Sequence, residues 1–275
     1  MKDARNKQGP GTALVTGASG GIGAEFARAL SREGWRLVLA GRNAERLESV
    51  RAGLQGPRAK EAIALQADLS EPGAGERLHR ACREGGLEVD LLVNNAGSGL
   101  LGQSADLPPA ALEAMAALNV TALTVLSSLF GRDMRDRGSG RILNVGSFAG
   151  LNATPYFAAY AATKSYVLSF SLALRAELRP RGVGVTCLLP GYVRTNFDAA
   201  AGIRSARYLA FSERNAMDAA DVAGIGLRAL ARGRAWTVAG ARNMLAATVL
   251  GLLPRAAAPA LMKASLDGLL AKEGR

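Results

Sequence analysis

The sequence predicts an α/β fold, a doubly wound parallel sheet of about seven strands with helices on both faces, formed as one domain over residues 1–275. Three observations carry this expectation. Short apolar runs alternate with longer segments of helical period, the pattern of successive βαβ units and so of a parallel sheet. A glycine-rich turn, "TGASGGIG", follows the first apolar run and opens the first helical segment. The chain has 275 residues, 49% of them hydrophobic, which suits one large core better than two small ones. With right-handed crossovers, the doubly wound sheet is the simplest arrangement of such units.

The first strand is expected in "TALVTG" (12–17), and a helix follows in "IGAEFARALSREG" (22–34), with Gly34 as its stop. "RLVLAGR" (36–42) and "NAERLESVRAGL" (43–54) repeat the unit. "EAIALQADL" (61–69) is a third strand; the polar helix after it, "GAGERLHRACREGG", carries His79, read as a surface residue. "VDLLVNNAG" (89–97) is a fourth strand, and a long helical stretch covers about 109–137. "GRILNVGS" (140–147) is a fifth strand, followed by a helix in "YFAAYAATKSYVLSFSLALRAEL". "GVGVTCLLPG" (182–191) is a sixth strand and "RAWTVAG" (234–240) a seventh. Residues 196–220 interrupt the alternation and are expected to form a substrate loop. From Asn243 on, the tail (243–275) is apolar, split by Pro254 and Pro259, and too short and broken to span a bilayer. It is expected to cap a pocket or to form a subunit contact, with a membrane surface as the remaining option.

Composition narrows the function classes. Cys82 and Cys187 provide no disulfide framework, and "MKDARNKQGPG" lacks the apolar run of a secretion signal, so a cytoplasmic protein is expected, with residues 1–9 loosely attached. The net charge of +11 is spread along the chain with no Lys/Arg run and no interleaved aromatics. It reads as a solvated basic surface rather than a nucleic-acid-binding one. The single histidine excludes His-rich metal sites, and no metal is expected.

The glycine loop has a physical reading. After a strand, the chain must turn sharply and let a pyrophosphate approach the backbone at a helix N-terminus, where free N–H groups and the helix dipole favour negative charge. Side chains at Gly17, Gly21 or Gly23 would obstruct that approach. The end of the second strand, "LAGRN", carries Arg42 and no acid. An acid there would hold the ribose 2′-hydroxyl of NAD, whereas a guanidinium suits a 2′-phosphate, to which Ser19 could also donate. NADP(H) is therefore expected over NAD(H).

"YAATK" places Tyr160 and Lys164 at i and i+4, on one helix face. Alone, this is either chance or a device for lowering a phenol's pKa. Together with "TGASGGIG", "NNAG" (94–97), Ser147 in "NVGSFAG" and "PGYVRT" (190–195), in this order and spacing, it resembles the short-chain dehydrogenase/reductase family over about residues 12–240. The resemblance implies a Rossmann fold, a nicotinamide cofactor, carbonyl–alcohol interconversion and a homotetramer or homodimer built on the helices around 109–137 and 157–179. It implies Tyr160 as general acid/base. Lys164 would hold the nicotinamide ribose and lower the tyrosine's pKa, Ser147 would hydrogen-bond the substrate oxygen, and Asn119 would order a relay water. It further implies cofactor contacts from Gly20 and Ile22 in the loop, from Asp68 and Leu69 at the adenine, from Asn95, Ala96 and Gly97, and from Pro190, Gly191, Val193 and Thr195 beside the nicotinamide. Asn94 is expected chiefly to brace the sheet, and Tyr156, one turn before Tyr160, to pack or to line a substrate wall. Many NADP-dependent members carry a basic residue where this chain has Gly20, a departure that leaves Arg42 more of the selectivity.

The partner is then a small-molecule carbonyl or alcohol. The apolar "YLAF" and "NMLAATVLGLL" motivate a lipid-like substrate. An NADP-binding regulatory module without turnover is the alternative; the intact Ser147, Tyr160 and Lys164 argue against it.

Overall fold

The computed structural model describes residues 10–251 and 257–270; the expectations for residues 1–9 and for Pro254 fall outside them. In chain order the elements are β1 (Thr12–Thr16), α1 (Gly21–Arg32), β2 (Arg36–Gly41), α2 (Ala44–Ala52), β3 (Ile63–Gln66), α3 (Ala74–Glu84), β4 (Val89–Asn94), α4 (Pro109–Ala116) and α5 (Leu123–Arg137). β5 (Gly140–Val145), α6 (Ala158–Leu178), β6 (Val183–Leu189), α7 (Phe197–Ala200), α8 (Ala206–Asn215), α9 (Ala219–Ala231), β7 (Trp236–Val238), α10 (Ala241–Gly251) and α11 (Ala257–Leu270) complete them. The strands form a seven-stranded sheet of order β3-β2-β1-β4-β5-β6-β7, parallel throughout. This is the expected doubly wound sheet. The order reverses between β1 and β4, where ligands bind at the carboxyl ends of strands in such sheets.

Strand alternation divides the core between the two faces. Ala13, Val15, Leu37, Leu39 and Val93 face α1, α2 and α9, where Phe26, Leu47 and Val222 are buried. Leu14, Val38, Leu92, Ile142 and Val185 face α3, α5 and α6, with Leu78, Phe130 and Leu174. A Cβ at Gly226 would stand 3.3 Å from the Phe26 ring and 2.9 Å from Leu188, so this glycine lets α9 settle onto α1 and the sheet.

Four local expectations are corrected. His79 is not a surface residue: it is 8% exposed, its Nε2 stands 2.7 Å from Asp133 Oδ2, and its ring meets Phe130 edge-on at 4.8 Å. Leu78, His79 and Cys82 form a buried stripe on α3 that its polar majority conceals, and Asp133 on α5 gives the imidazole a partner. The stretch 109–137 is continuous, but Ala117–Ala122 is a π turn between α4 and α5. The hydrogen-bond ladder of Pro109–Arg137 thus changes where Asn119 lies; although this stretch is long and apolar enough to cross a bilayer, Met115, Leu126, Phe130 and Met134 are buried along it in the fold. Tyr156 is not a turn of the catalytic helix. It precedes α6 at φ +62°, the only non-glycine residue with positive φ among the described residues. Pro259 does not split the tail, because it falls in the first turn of α11, where a missing N–H costs nothing.

Candidate active site

The glycine loop leaves β1 and enters α1 through backbone that admits no larger residue at two points. A Cβ at Gly23 would lie 2.2 Å from the Gly17 carbonyl oxygen, and one at Gly17 2.9 Å from Ala96 Cα. Gly21 has φ +53° and faces the Thr195 methyl group. Gly20 precedes α1 and offers no side-chain cap, so the first N–H groups of α1 stay open to an anion. Ile22 is half-buried against the core beneath. At the end of β2, a Cβ on Gly41 would stand 3.5 Å from Ser19 Oγ, which places Ser19 beside Arg42. The Arg42 guanidinium is 79% exposed and 4.0 Å from Asp68. Both line an open cleft of about 590 Å³ with Gln66, Ala67 and Arg77. Asp68 Oδ1 accepts from the Ser70 N–H and hydroxyl at 3.0 and 2.6 Å. Leu69, by contrast, is buried in the core and does not line this cleft.

Beyond β4 two asparagines divide the work. Asn94 is buried and donates to Ser127 Oγ and Asn144 Oδ1, each at 2.9 Å, while Asn144 donates to Ser171 at 3.0 Å. This ladder ties β4, β5, α5 and α6 together, so Asn94 does brace the sheet. Asn95 donates to the Thr16 and Gly17 carbonyls, and Thr16 Oγ1 accepts from the N–H groups of Asn95 and Ala96. The Asn119 side chain is fully engaged: it accepts from Ser98 N–H at 3.0 Å and donates to the Ser98 carbonyl and Thr163 Oγ1.

Ser147 follows β5 and caps the turn Phe148–Leu151, accepting from Ala149 N–H at 3.2 Å. Tyr160 and Lys164 rise from the first turns of α6, 9% and 4% exposed. Lys164 Nζ donates to the Val145 carbonyl at 3.0 Å, stands 5.9 Å from the Tyr160 ring centroid, and would lie 3.2 Å from a Cβ on Gly97. After β6, the Pro190 carbonyl accepts from Phe148 N–H at 2.7 Å, Gly191 lies under the Asn243 amide, and Val193 bridges to Met217. Thr195 then meets Gly21. The parallel sheet therefore brings the ends of β1 to β6 and the start of α6 to one edge.

The short chain dehydrogenase profile matches residues 11–204. The chain belongs to the short-chain dehydrogenase family. It is 36% identical to a serine 3-dehydrogenase of Agrobacterium fabrum over 193 residues, 68% of this chain and 74% of that protein. Among solved structures it resembles a short-chain dehydrogenase from Sphingobium yanoikuyae in complex with NADPH, at 30% identity and TM-score 0.76 over 97% of both chains. It also resembles the bulky-bulky ketone specific alcohol dehydrogenase from Comamonas testosteroni, at 27% identity and TM-score 0.71, over 97% of this chain and 96% of that one. The profile stops at residue 204, short of the 240 that the motifs suggested, so α8 to α11 are matched through whole-chain structures.

As a short-chain dehydrogenase, the protein has a site that fits a dinucleotide by its own geometry. The uncapped α1 N-terminus and the glycines whose Cβ positions are filled by backbone form an anion cradle, and Lys164 keeps two N–H groups beyond the one that Val145 uses. Electrostatics differ from the expectation that the lysine lowers the tyrosine's pKa. Burial pushes the Tyr160 phenol up to about 12, opposed by a hydrogen bond with Ser147 and reinforced by Asp198. Burial also pulls Lys164 down to about 8. In the protein alone, desolvation outweighs the ammonium's attraction for a phenolate.

Several residues at the site were not named individually from sequence, although Phe197 and Tyr208 fall in the expected substrate loop and Leu266 in the expected tail cap. Phe197 packs on Tyr160 at 5.5 Å, and its ring fills the space above Gly99. Tyr208, Met115 and Leu266 close the same cluster. They come from α8, α4 and α11, and no local signal joins them. Thr163 was findable, since its place three residues after Tyr160 puts it on the same helix face.

Proposed function

We propose that this short-chain dehydrogenase is an NADP(H)-dependent reductase or alcohol dehydrogenase that interconverts a ketone or aldehyde and an alcohol, with Tyr160 as general acid/base. The observation that carries the proposal is the pairing of the Tyr160 and Ser147 hydroxyls beside the buried Lys164 ammonium, at the end of the sheet that also presents Arg42. The nicotinamide cofactor, when bound, supplies or takes up the hydride. Ser147 and Tyr160 donate hydrogen bonds to the carbonyl oxygen, and Tyr160 delivers its proton as charge develops there. Lys164 uses its two remaining N–H groups on the ribose side and offsets the phenolate left behind. Asn119 acts as a positioning residue, joining α4 and α5 through its π turn to Ser98 and to Thr163 of α6.

Arg42 and Ser19 support NADP(H), since together they can grip a 2′-phosphate. Replacing Arg42 by Ala is expected to weaken NADPH binding about 10–100-fold and NADH binding little, because a charged hydrogen-bonding pair is worth about 1.5–3 kcal/mol. Equal losses, measured by fluorescence titration, would contradict this selectivity. The cluster of Met115, Phe157, Phe197, Tyr208 and Leu266 around Tyr160 supports an apolar substrate body, as does the likeness to the bulky-ketone enzyme. With NADPH oxidation followed over ketones graded in size, rates that rise with apolar size are expected. Preference for small polar aldehydes would count against an apolar pocket.

A further inference from the structure

Tyr156 adopts a conformation that side chains disfavour. Its φ of +62° lies in the left-handed region, where a Cβ is crowded. Its carbonyl accepts from Gly102 N–H at 2.9 Å, and its ring leaves the catalytic segment for α11. There its hydroxyl donates to Asp267. Lys263 Nζ donates to the same hydroxyl at 3.2 Å and to both Asp267 oxygens at 2.8 and 3.0 Å. The next residue, Phe157, packs 6.0 Å from the Tyr160 ring. From the middle of α11, Leu266 enters the cluster around Tyr160 at 7% exposed. Near its end, the Leu269 carbonyl accepts from Ser205 Oγ at 2.6 Å, and Ser205 also caps α8.

We propose that α11 is a lid over the carbonyl pocket, latched by Tyr156 to Asp267 and Lys263, and that Leu266 on its inner face limits the size of the substrate's apolar end. The inference rests on the carbonyl-reductase reading of the site. Beyond the Ser205 bond and the packing of Leu269 and Leu270 at its end, two kinds of contact hold the helix. The latch is exposed, with the Lys263 and Asp267 side chains 55% and 45% accessible, and such pairs are weak. The Leu266 contact is buried and apolar. α11 also packs chiefly on α8, itself outside the sheet, so it can lift without disturbing β1 to β7. A weak outer latch over a buried inner residue is the construction of a segment that opens for each turnover and seals the reacting tyrosine from water when closed.

Hydrogen exchange by mass spectrometry on the full chain tests the latch, and kinetics test the size limit. Tyr156→Phe and Asp267→Ala should speed exchange of α11 amides about fivefold and leave the strands unchanged, with Asp267→Asn, which keeps an acceptor, in between. Leu266→Ala should raise kcat/KM for a bulky ketone relative to a small one by about tenfold; Leu266→Val, the gentler truncation, should move it the same way by less. Unchanged α11 exchange in both latch variants would overturn the lid. An unchanged ratio of kcat/KM in both Leu266 variants would overturn the size limit. No ketone turnover by the wild type would overturn the reductase reading and the size limit with it, while the exchange arm would still decide the latch.

Discussion

Lys164 is a buried ammonium with a single carbonyl acceptor, and its stability effect has a definite sign. Its folded pKa, about 8, lies below the ordinary 10.5. Between these values the unfolded chain binds more protons, so this group makes stability rise with pH through that window; below it the buried charge is a full cost. The shift corresponds to something on the order of 3 kcal/mol, from which the lost Val145 hydrogen bond takes about 1. Lys164→Met is therefore expected to stabilise the cofactor-free protein at pH 7 by about 1–2 kcal/mol, with the gain fading towards pH 10, and to slow turnover about 100-fold. Urea unfolding at several pH values reads this; a loss of stability at pH 7 would mean that the ammonium is well solvated. Tyr160 has the opposite shift, up to about 12. The phenol keeps its proton through the neutral range, so reduction should be flat there, while alcohol oxidation, which needs the phenolate, should climb with pH. The identities of both residues were legible in "YAATK", because helical spacing places them on one face. The desolvation of Tyr160 was not, because the residues that bury it come from α4, α7, α8 and α11.

The strand–loop–helix unit at the β1–α1 turn separates glycines that look alike in the sequence. At Gly23 an added methyl group would strike the Gly17 carbonyl oxygen at 2.2 Å and the Asn95 amide at 2.5 Å. Gly23→Ala should push α1 off the loop, costing about 2 kcal/mol or more and most of the cofactor affinity; wild-type unfolding would contradict this packing. At Gly20 the backbone is extended, φ 169°, and a Cβ would meet nothing within 4 Å. Gly20→Arg should fold normally and tighten NADPH over NADH about fivefold, whereas no gain by calorimetry would place the 2′-phosphate away from residue 20. Elsewhere, the strands were legible because their apolar period differs from that of the helices. α3 was misjudged at His79, since its other buried residues, Ala74, Gly75, Leu78 and Cys82, include only one large apolar side chain among many charged ones. The π turn at Asn119 has no sequence signature, and the left-handed Tyr156 broke a pattern that looked helical.

Over the whole molecule, the parallel order of the sheet followed from the alternation of elements, and the apolar tail was read as a pocket cap or a subunit contact, but its tie to Tyr156 was not legible, because Tyr156 and Asp267 are 111 residues apart. Tyr166 and Leu172, each 38% exposed, lie on α6, with Tyr166 stacked on Phe170 and bonded to Thr124 of α5. We propose this outer face as the subunit contact. Light scattering should give a dimer or tetramer, and Leu172→Arg should shift it towards monomer; a monomeric wild type would contradict that assembly. The account's central claim is hydride transfer to a carbonyl with Tyr160 as proton donor. The most direct test is transfer of deuterium from NADPH labelled at the nicotinamide C4 to an apolar ketone, read by mass spectrometry of the alcohol, for the wild type and Tyr160→Phe. The account predicts label on the carbinol carbon with the wild type and a rate about 10²–10⁴-fold lower with Tyr160→Phe, NADPH binding being retained. Label transfer at a near wild-type rate in Tyr160→Phe would contradict it.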